Sequence, residues 1–322
     1  MIRYFYHTPG SGVKAGEGSA DFGAMLKHKN ALLWVDMSQP GKEEESLLSE
    51  IFKLHPLAVE DAFLVNQVSK IDEYGEDLFA VFKLIDYQGE DDELKVSEVD
   101  IFVNHRFVVT VHQERHRVFD YLYSNAVGNQ RMMSRGADLL FHAIVDAVID
   151  SFNITLDVLE SQVDDIEEHV LSEPDENIVR AIFRVRRNMS LLKRVASPQK
   201  ETLYRLSRQK LQAISDRARI YFRDIFDNVT RINDIADSNR ETLSAALEVY
   251  YSSVSTKTNE IIKFLTLITV ILMPPTFLVG LWGMNFRSMP ELQWEHGYLF
   301  FWLVILLTTG SLLLLFRKKK WL

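Results

Sequence analysis

The fold of this chain is decided by residues Glu260 to Asn285, which read EIIKFLTLITVILMPPTFLVGLWGMN. No charged side chain occurs from Leu265 to Leu281, and with its flanks the apolar run reaches about 20 residues, the length that crosses the hydrocarbon core of a bilayer. A second uncharged run, Gly297 to Phe316, follows after a short loop. The sequence therefore predicts two membrane-spanning helices in its last part.

Seven residues, which include nearly all the polar and small ones, form a stripe along the first apolar run. They recur at alternating intervals of three and four residues, which places them on one face of a helix. The members of the stripe are Asn259, Ile262, Thr266, Thr269, Met273, Thr276 and Gly280. A helix that faces only lipid needs no such stripe, whereas a helix packed around a symmetry axis or around water does. Pro274 and Pro275 lie in mid-run, so any gating motion of the span is predicted to hinge there or on its cytoplasmic side.

The net charge of −9 is unevenly distributed along the chain. Six basic and three acidic residues lie from Glu260 onward, so this part carries +3 and residues 1–259 carry −12. An acidic soluble part argues against nucleic acid as a partner and is compatible with cation binding. The absence of cysteine excludes disulfides and thiolate metal sites. The first ten residues contain no signal-peptide core, so the soluble part is predicted to stay inside the cell.

Residues 1–135 mix strand-like and helical patterns and are predicted to form an α/β domain. The predicted strands are Ala31–Asp36, Leu78–Ile85, Val99–Val103 and Phe107–Val111. Glu43–Lys53 and His55–Phe63 are predicted to be helices, with Pro56 in a first helical turn. The glycine-rich segment Gly10 to Gly18 lacks a phosphate-loop motif and is predicted to be a loop.

Residues 136–259 have the apolar periodicity of long helices and are predicted to form a cytoplasmic stalk. Breaks are predicted at Leu171–Pro174 and at Ser197–Pro198. Neither proline nor glycine interrupts Ala213 to Met273, which predicts one helix of roughly 60 residues that continues into the first span. The fold class expected from these parts is α+β.

The basic cluster at the end of the chain predicts the topology, because Lys and Arg mark the cytoplasmic side of a membrane. Two spans then place both termini in the cytoplasm. The predicted segments are a first span at 260–283, an external loop at 284–296, a second span at 297–316 and a basic cytoplasmic tail at 317–322.

Several motifs resemble the CorA family of divalent-cation channels. Gly283-Met284-Asn285 follows the first of the two spans, and Met289-Pro290-Glu291-Leu292 and a terminal Lys-Lys-Lys-Trp-Leu come after it. Similarity extends to YSSVSTKTNE (Tyr251 to Glu260), YFRDIFD (Tyr221 to Asp227) and HPLAVED (His55 to Asp61). The resemblance implies a homopentamer in the cell (inner) membrane, with an N-terminal α/β domain, a funnel of long helices and a pore lined by the first span. It implies transport of Mg²⁺, and of Co²⁺ or Ni²⁺ to varying degrees.

The resemblance also assigns the ion pathway. Gly283, Met284 and Asn285 would be the selectivity filter, in which the Asn285 side chains form a ring of amide oxygens at the outer mouth. The pore-lining residues would be Asn259, Ile262, Leu265, Thr269, Met273, Thr276 and Gly280. The stripe contains Thr266, whereas the resemblance places Leu265 in the pore. Leu265 is preferred as the pore-lining residue, because a mean spacing of about 3.5 residues does not fix the rotation of a helix to within one residue.

Regulation is assigned to the acidic cytoplasmic part. The resemblance gives as regulatory metal ligands Glu60, Asp61, Asp146, Asp224 and Glu248, the last of which is an Asp in the family. Mg²⁺ bound to these carboxylates between subunits would hold the channel closed, and its loss would open the pore. Glu291 in the external loop would attract cations. The residues of a basic collar would be Lys318, Lys319 and Lys320.

Two other interpretations remain open from the sequence. The first is a transporter of Zn²⁺ or another transition metal in the same superfamily, although the absence of cysteine and of pore histidine favours a hard cation with oxygen ligands. The second is a non-conducting, membrane-anchored coiled-coil scaffold, which would make the polar stripe dispensable. No catalytic or nucleotide motif occurs, so an enzyme is not expected.

Overall fold

The computed structural model of the chain describes residues 1–10, 12–28, 30–64, 67–88, 93–128, 130–172, 175–287 and 289–321, with backbone alone at 88, 127, 128, 130, 131, 176 and 291. These residues form two compact units, Met1–Leu247 and Glu248–Leu322. The strands are β1 (Ile2–Thr8), β2 (Gly12–Glu17), β3 (Leu32–Ser38), β4 (Lys70–Tyr74), β5 (Asp77–Gln88), β6 (Glu93–Val103) and β7 (Phe107–His112). The helices are α1 (Phe22–Lys27), α2 (Lys42–Ser46), α3 (Pro56–Phe63), α4 (Arg117–Gly128), α5 (Gln130–Ser134), α6 (Ala137–Ser172), α7 (Glu176–Arg208), α8 (Asp216–Trp282) and α9 (Gly297–Lys318).

The strands form one mixed sheet in the order β2-β1-β3-β7-β6-β5-β4. Strands β3 and β7 run parallel, and the other neighbouring strands are antiparallel. Each of the four predicted strands overlaps a strand of this sheet. The predicted α+β class is confirmed, because a largely antiparallel sheet precedes a run of long helices.

Helices cover both faces of the sheet. On one face, α1 and α3 bury Phe22 and Ala58 in a core that also contains Val81 of β5 and Val109 of β7. On the other face, α6 packs against β5, where the backbone N–H of Ile85 donates to the Ser151 hydroxyl oxygen at 3.3 Å. Burial on both faces explains why β3 and β7 read as continuous apolar runs rather than as alternating patterns.

The glycine-rich segment contains a strand, so the predicted loop at Gly10 to Gly18 was wrong. Strand β2 pairs antiparallel with β1, and Gly16 lies opposite Tyr4. A Cβ atom on Gly16 would lie 2.4 Å from the Tyr4 ring, so glycine is required for the ring to rest on the strand. Gly16 therefore marks the close approach of an aromatic ring rather than a turn.

Pro198 does not end a helix, so the predicted break at Ser197–Pro198 was also wrong. Helix α7 continues through it to Arg208. A proline inside a helix costs about 3 kcal/mol because it removes one backbone hydrogen bond. Its neighbours make tertiary contacts that offset this cost: Ser197 Oγ donates to Asn233 Oδ1 at 2.9 Å, and buried Gln199 accepts from the N–H of Lys83 at 3.1 Å.

Two other helical predictions hold in part. The predicted helix Glu43–Lys53 is split into α2 and a π-helical turn, Leu47–Ile51. The predicted break at Leu171–Pro174 falls partly outside the described residues, with α6 ending at Ser172 before it and α7 beginning at Glu176 after it.

The long helix predicted from Ala213 to Met273 is present as α8, which has 67 residues. It runs through Pro274 and Pro275 and ends at Trp282. Within the first unit, α8 packs beside α6 and α7. The rings of Phe141 and Phe222 lie 5.3 Å apart, and Lys193 Nζ lies 2.5 Å from the Asp237 carboxylate.

Asp100 is a buried carboxyl group on β6. The residue is 4% exposed, and its Oδ1 has no hydrogen-bond partner among the described residues. Burial, together with the negative charge of Glu98, raises the pKa of Asp100 to about 9. The carboxyl group is therefore protonated in the folded protein at neutral pH.

We expect Asp100→Asn to stabilise the protein increasingly as the pH rises. Folded Asp100 keeps a proton that the unfolded chain releases, so wild-type stability falls between about pH 4 and pH 9, by up to about 1.4 kcal/mol per pH unit. Asparagine does not titrate, so the variant's thermal midpoint should exceed that of the wild type more at about pH 8.5 than at about pH 5. The control is Asp86→Asn, an exposed carboxyl on β5. If the thermal midpoints of the variant and the wild type differed by the same amount at both pH values, Asp100 would not keep its proton in the folded protein.

Candidate functional site

Helices α8 and α9 expose apolar surface in a single chain. The most apolar 18-residue stretch of each of these helices is 6% buried, whereas the corresponding stretch of α6 is 61% buried inside the protein. Helix α6 is therefore a core helix, although its length and composition would also allow it to cross a membrane. The exposed apolar surface of α8 and α9 requires lipid or other subunits to cover it. From Phe264 to Leu281, α8 rises about 27 Å, close to the thickness of a bilayer core.

Contacts near both ends hold α8 and α9 together. At one end, the rings of Trp282 and Phe301 lie 5.4 Å apart. At the other end, Lys263 Nζ donates to the carbonyl oxygen of Lys320 at 3.3 Å and lies 5.9 Å from the centre of the Trp321 ring. Lysine and tryptophan at the ends of apolar helices are the residues that anchor a protein at membrane interfaces.

The stripe lies on the side of α8 that α9 leaves uncovered. The positions of α8 that are partly or fully buried include Lys263, Leu267, Pro274, Leu278 and Trp282. Every member of the stripe is exposed, and so is Leu265. At about 100° per residue, the two sets occupy opposite sides of the helix. Leu265 and Thr266 flank the centre of the stripe, roughly 50° to either side.

The threonines of the stripe are bonded to the helix that carries them. The hydroxyls of Thr266, Thr269 and Thr276 donate to the carbonyl oxygens four residues earlier, at 2.8, 2.9 and 2.8 Å. A hydroxyl has one proton and two lone pairs, so a hydroxyl engaged in this way still has an oxygen able to accept. The stripe therefore presents hydrogen-bond acceptors and apolar groups.

Gly283 allows the chain to leave α8 in a tight turn. Its N–H donates to Val279 O at 2.9 Å, and the N–H of Met284 donates to Leu281 O at 3.3 Å. A Cβ atom on Gly283 would lie 3.1 Å from the Val279 oxygen, closer than side chains normally approach a backbone oxygen. Asn285 follows with an exposed side chain. The backbone of Glu291 lies in the 3₁₀ turn Pro290–Leu292, and its side chain lies outside the described residues.

The basic end of the chain is an ordered helix cap. Lys320 has a φ of 55°, the N–H of Lys320 donates to Arg317 O at 3.1 Å, and the N–H of Trp321 donates to Phe316 O at 3.0 Å. These bonds form a Schellman motif, completed by the stacking of Trp321 on Phe316. Helix α9 extends through Lys318, and the side chains of Lys318, Lys319 and Lys320 are exposed.

Glu60 and Asp61 lie in the last turns of α3, where Glu60 is exposed. The Asp61 carboxylate lies 2.5 Å from Lys70 Nζ of β4, which also lies 3.2 Å from Asp72. Partial burial opposes ionisation of Asp61, but the hydrogen bond and positive charge of Lys70 outweigh it and lower the pKa of Asp61. Asp61 is therefore a carboxylate that already has a cationic partner.

Asp146 of α6 and Asp224 of α8 are close enough to interact electrostatically. The pKa of Asp146 is raised to about 6, mainly by burial and further by the negative charges of Asp150 and Asp224. Asp150 and Asp224 are exposed. A partly buried carboxylate that lies near other carboxylates is stabilised when a cation neutralises their charge. Glu248, which is exposed, belongs to the second unit.

Within the described part of one chain, no three His, Asp or Glu side chains converge closely enough to hold a metal ion. The structure brings Asp146 near Asp224 and joins Asp61 to Lys70, but it does not gather the five predicted regulatory carboxylates. Sequence reasoning missed Lys70 and the contact of Lys263 with Trp321. Lys263 could have been noticed as a charge at the edge of the apolar run, whereas no sequence signal pairs Lys70 with Asp61.

The family whose model matches this chain is described as CorA-like Mg²⁺ transporter protein, and the match covers residues 29–318. The chain belongs to the CorA family. The resemblance inferred from Gly283-Met284-Asn285 and the terminal basic residues is thereby confirmed. This CorA protein is a membrane transporter by family, and its apolar helices are the part that a membrane would contain.

Two relatives and one solved structure illustrate the similarity. The chain is 34% identical over 276 residues to the cobalt/magnesium transport protein CorA of Thermotoga maritima, covering 85% of this chain and 79% of the relative. It is 23% identical over 308 residues to the magnesium transport protein CorA of Helicobacter pylori, covering 94% of each. The complete structure of the CorA magnesium transporter from Methanocaldococcus jannaschii superposes with a TM-score of 0.85 at 19% identity, covering 99% of this chain and 98% of that one. These relatives are named as transport proteins rather than enzymes.

Proposed function

We propose that this CorA protein is a homopentameric channel that admits Mg²⁺, and to some degree Co²⁺ and Ni²⁺, into the cell. The observation that carries the proposal is the uncovered stripe of α8, which ends beside the exposed Asn285. Copies of one helix arranged around an axis would cover each other and enclose a pathway lined by the stripe. The relatives named for magnesium and cobalt transport supply the identity of the ions.

In the proposed filter, Asn285 from each subunit contributes to a ring at the outer mouth. Mg²⁺ releases its water ligands reluctantly, so a filter that binds the hydrated ion avoids the cost of dehydration. Amide oxygens would accept hydrogen bonds from the bound waters. A ring of carboxylates would attract the ion more strongly and release it more slowly. Gly283 and Met284 would set the turn that presents Asn285, and Glu291 would raise the cation concentration above it.

Below the filter, the proposed pore alternates acceptor rings with apolar rings. Thr276, Thr269 and Asn259 would offer oxygens to the waters around the ion. Apolar constrictions at Met273, Leu265 and Ile262 would lose water and stop conduction when the pore narrows. Gly280 carries no side chain and would leave the pathway wide beneath the filter.

The proposed topology places both termini and the acidic unit in the cytoplasm. Lys263 would lie at the cytoplasmic interface, where the exposed residues Lys318, Lys319 and Lys320 would form the basic collar. The proposed segments are a cytoplasmic α/β domain at 1–135, a stalk at 136–259, spans at 260–283 and 297–316, an external loop at 284–296 and a cytoplasmic tail at 317–322. The predicted hinge of the first span remains at Pro274 and Pro275 or on their cytoplasmic side.

Regulation is proposed to occur through cytosolic Mg²⁺. The carboxylates of Glu60, Asp61, Asp146, Asp224 and Glu248 would bind Mg²⁺ between neighbouring subunits. Support comes from the pKa of Asp146, which burial raises first and the negative charges of Asp150 and Asp224 raise further, so that a bound cation would stabilise this carboxylate. Bound Mg²⁺ would favour the closed state, giving negative feedback by population shift.

Ion-competition flux tests the proposed function. The full chain is reconstituted in proteoliposomes, and Mg²⁺ uptake is measured with a fluorescent indicator in the presence of Co²⁺, Ni²⁺ or Zn²⁺. We expect Mg²⁺ uptake, and we expect Co²⁺ to inhibit this uptake more strongly than Zn²⁺ does. Preferred uptake of Zn²⁺ would support the transition-metal alternative, and a complete lack of flux would support the scaffold. A monomer in mild detergent would contradict the pentameric pore.

Asp224→Ala is expected to raise the Mg²⁺ concentration that halves uptake by at least about fivefold, which corresponds to about 1 kcal/mol of lost binding. Removing this carboxylate deletes a proposed ligand and relieves the repulsion on Asp146. The measurement is Mg²⁺ uptake into proteoliposomes at a series of Mg²⁺ concentrations on the cytoplasmic side. The control is Asp234→Ala, an exposed carboxylate on the same helix, which should leave the inhibitory concentration unchanged. Equal inhibition of the wild type and Asp224→Ala would remove Asp224 from the proposed sensor.

A further inference from the structure

Lys70 forms an ion pair with the carboxylate of Asp61. Its Nζ lies 2.5 Å from Asp61 Oδ2, which joins the edge strand β4 to the last turn of α3. The same Nζ lies 3.2 Å from Asp72 Oδ2, so the ammonium group has two carboxylate partners. The side chains of Lys70, Asp61 and Asp72 are 33, 24 and 40% exposed, so an ion from solution can reach them.

The surroundings hold Asp61 in place while allowing the ammonium group to move. Asp61 O accepts hydrogen bonds from Gln67 Nε2 at 3.2 Å and from the N–H of Leu64 at 3.0 Å, which fix the backbone at the end of α3. Lys70 Nζ lies 5.6 Å from the centre of the Phe79 ring, and its flexible stem can turn toward Asp72 without a backbone change. An exchange of partners at Asp61 therefore requires only side-chain rotation.

We propose that Lys70 is an internal competitor of Mg²⁺ at Asp61 and sets the cytosolic Mg²⁺ concentration at which the channel closes. The inference rests on the proposed regulatory role of Asp61. Lys70 Nζ contacts Asp61 Oδ2, and its positive charge repels a second cation at the same carboxylate. Binding of Mg²⁺ or its water shell to Asp61 is therefore favoured when the Lys70 ammonium group moves away. Asp72 then keeps that ammonium group paired, which limits the cost of the exchange.

A lysine suits this role better than an arginine. The ammonium group is a compact charge that holds a carboxylate through a single contact, whereas the planar guanidinium group binds a carboxylate through two parallel hydrogen bonds. Lysine therefore leaves Asp61 exchangeable. The fraction of time during which Asp61 is free of Lys70 scales the apparent affinity for Mg²⁺.

Lys70→Met tests the inference in the full chain. With the competitor removed, the Mg²⁺ concentration that halves uptake into proteoliposomes is expected to fall by about threefold or more, as the free fraction of Asp61 approaches one. Lys70→Arg is expected to keep that concentration at or above the wild-type value. The control is Lys95→Met, which breaks a similarly exposed ion pair with Glu114, 2.7 Å long, on another part of the sheet. It should leave the inhibitory concentration unchanged.

A second measurement separates competition from structural damage. Mg²⁺-dependent protection from trypsin reports binding without flux, and its midpoint should fall in Lys70→Met as the inhibitory concentration does. A purely structural role for Lys70 would lower the thermal midpoint without shifting the Mg²⁺ midpoint, and this result would overturn the inference.

Asp61→Asn distinguishes this inference from the proposed function. If Asp61→Asn raises the inhibitory concentration and Lys70→Met leaves it unchanged, Asp61 senses Mg²⁺ but Lys70 does not compete, and the inference fails alone. If neither variant changes it, Asp61 is not part of the sensor, and both the inference and the proposed role of Asp61 fail.

Discussion

Replacing Asn285 with alanine is expected to lower Mg²⁺ uptake into proteoliposomes by at least about tenfold. The substitution removes one amide oxygen per subunit from the proposed filter, and each lost hydrogen bond is worth about 1 kcal/mol. Loss of the whole ring exceeds the 1.4 kcal/mol that corresponds to about a tenfold change. Asn285 is exposed and follows the turn at Gly283, so alanine should leave the fold of the chain intact.

The control is Gln293→Ala, which removes an exposed amide from the same loop. Its uptake should match the wild type. Light scattering in detergent should give the same oligomeric mass for both variants and the wild type. Undiminished Mg²⁺ uptake by correctly assembled Asn285→Ala would show that the amide ring does not select the ion.

Replacing Asp36 with alanine is expected to destabilise the protein by about 3–5 kcal/mol, the usual cost of breaking a buried ion pair. The Asp36 side chain is 3% exposed and lies 2.8 Å from Arg3 Nη2 and 3.1 Å from His112 Nε2. It also accepts a hydrogen bond from Thr110 at 2.7 Å. Its removal leaves the buried guanidinium group of Arg3 with Asp120 as its remaining carboxylate partner among the described residues.

Burial alone would raise the pKa of Asp36, but the hydrogen bonds from His112, Thr110 and Arg3 hold it below its usual value. Because a lowered pKa contributes stability that is lost only in acid, the full effect of Asp36→Ala should be present at neutral pH. The thermal midpoint of the full chain in detergent should fall by about 10 °C.

Glu93→Ala is the control for Asp36→Ala. It breaks an ion pair with Arg187 in which the two side chains are 65 and 70% exposed, and such pairs contribute about 1 kcal/mol or less. The thermal midpoint of Glu93→Ala should therefore stay close to the wild-type value. A small effect of Asp36→Ala, equal to that of Glu93→Ala, would mean that Asp36 is not essential to the sheet.

The elements that sequence predicted best are those in which composition alone decides the outcome. An uncharged run of membrane-spanning length and an unbroken helical periodicity led directly to α8 and α9. Errors arose where tertiary contacts outweigh local preference. Pro198 is tolerated inside α7 because Ser197 and Gln199 bond to distant residues. Gly16 lies in a strand because β2 pairs with β1, and it is a glycine because the Tyr4 ring leaves no room for a side chain.

The candidate site divides in the same way. The stripe on α8 could be predicted because helical periodicity fixes which residues share a face, and the structure leaves that face exposed. The pairing of Asp61 with Lys70 could not be predicted, because the two residues are nine positions apart and meet only when α3 packs beside β4. The five proposed regulatory carboxylates do not converge within the described part of one chain.

The hydroxyl bonds of Thr269 and Thr276 have a consequence for the sign of the charge that the proposed pore admits. Their protons are held by backbone carbonyl groups, so each of these two rings of threonines offers oxygen atoms but no hydrogen atoms to the pathway. Waters around a cation point their hydrogens outward, whereas waters around an anion point their oxygens outward. A hydrated anion would thus meet threonine rings that cannot bond to its shell, and this span could discriminate against chloride without a fixed negative charge.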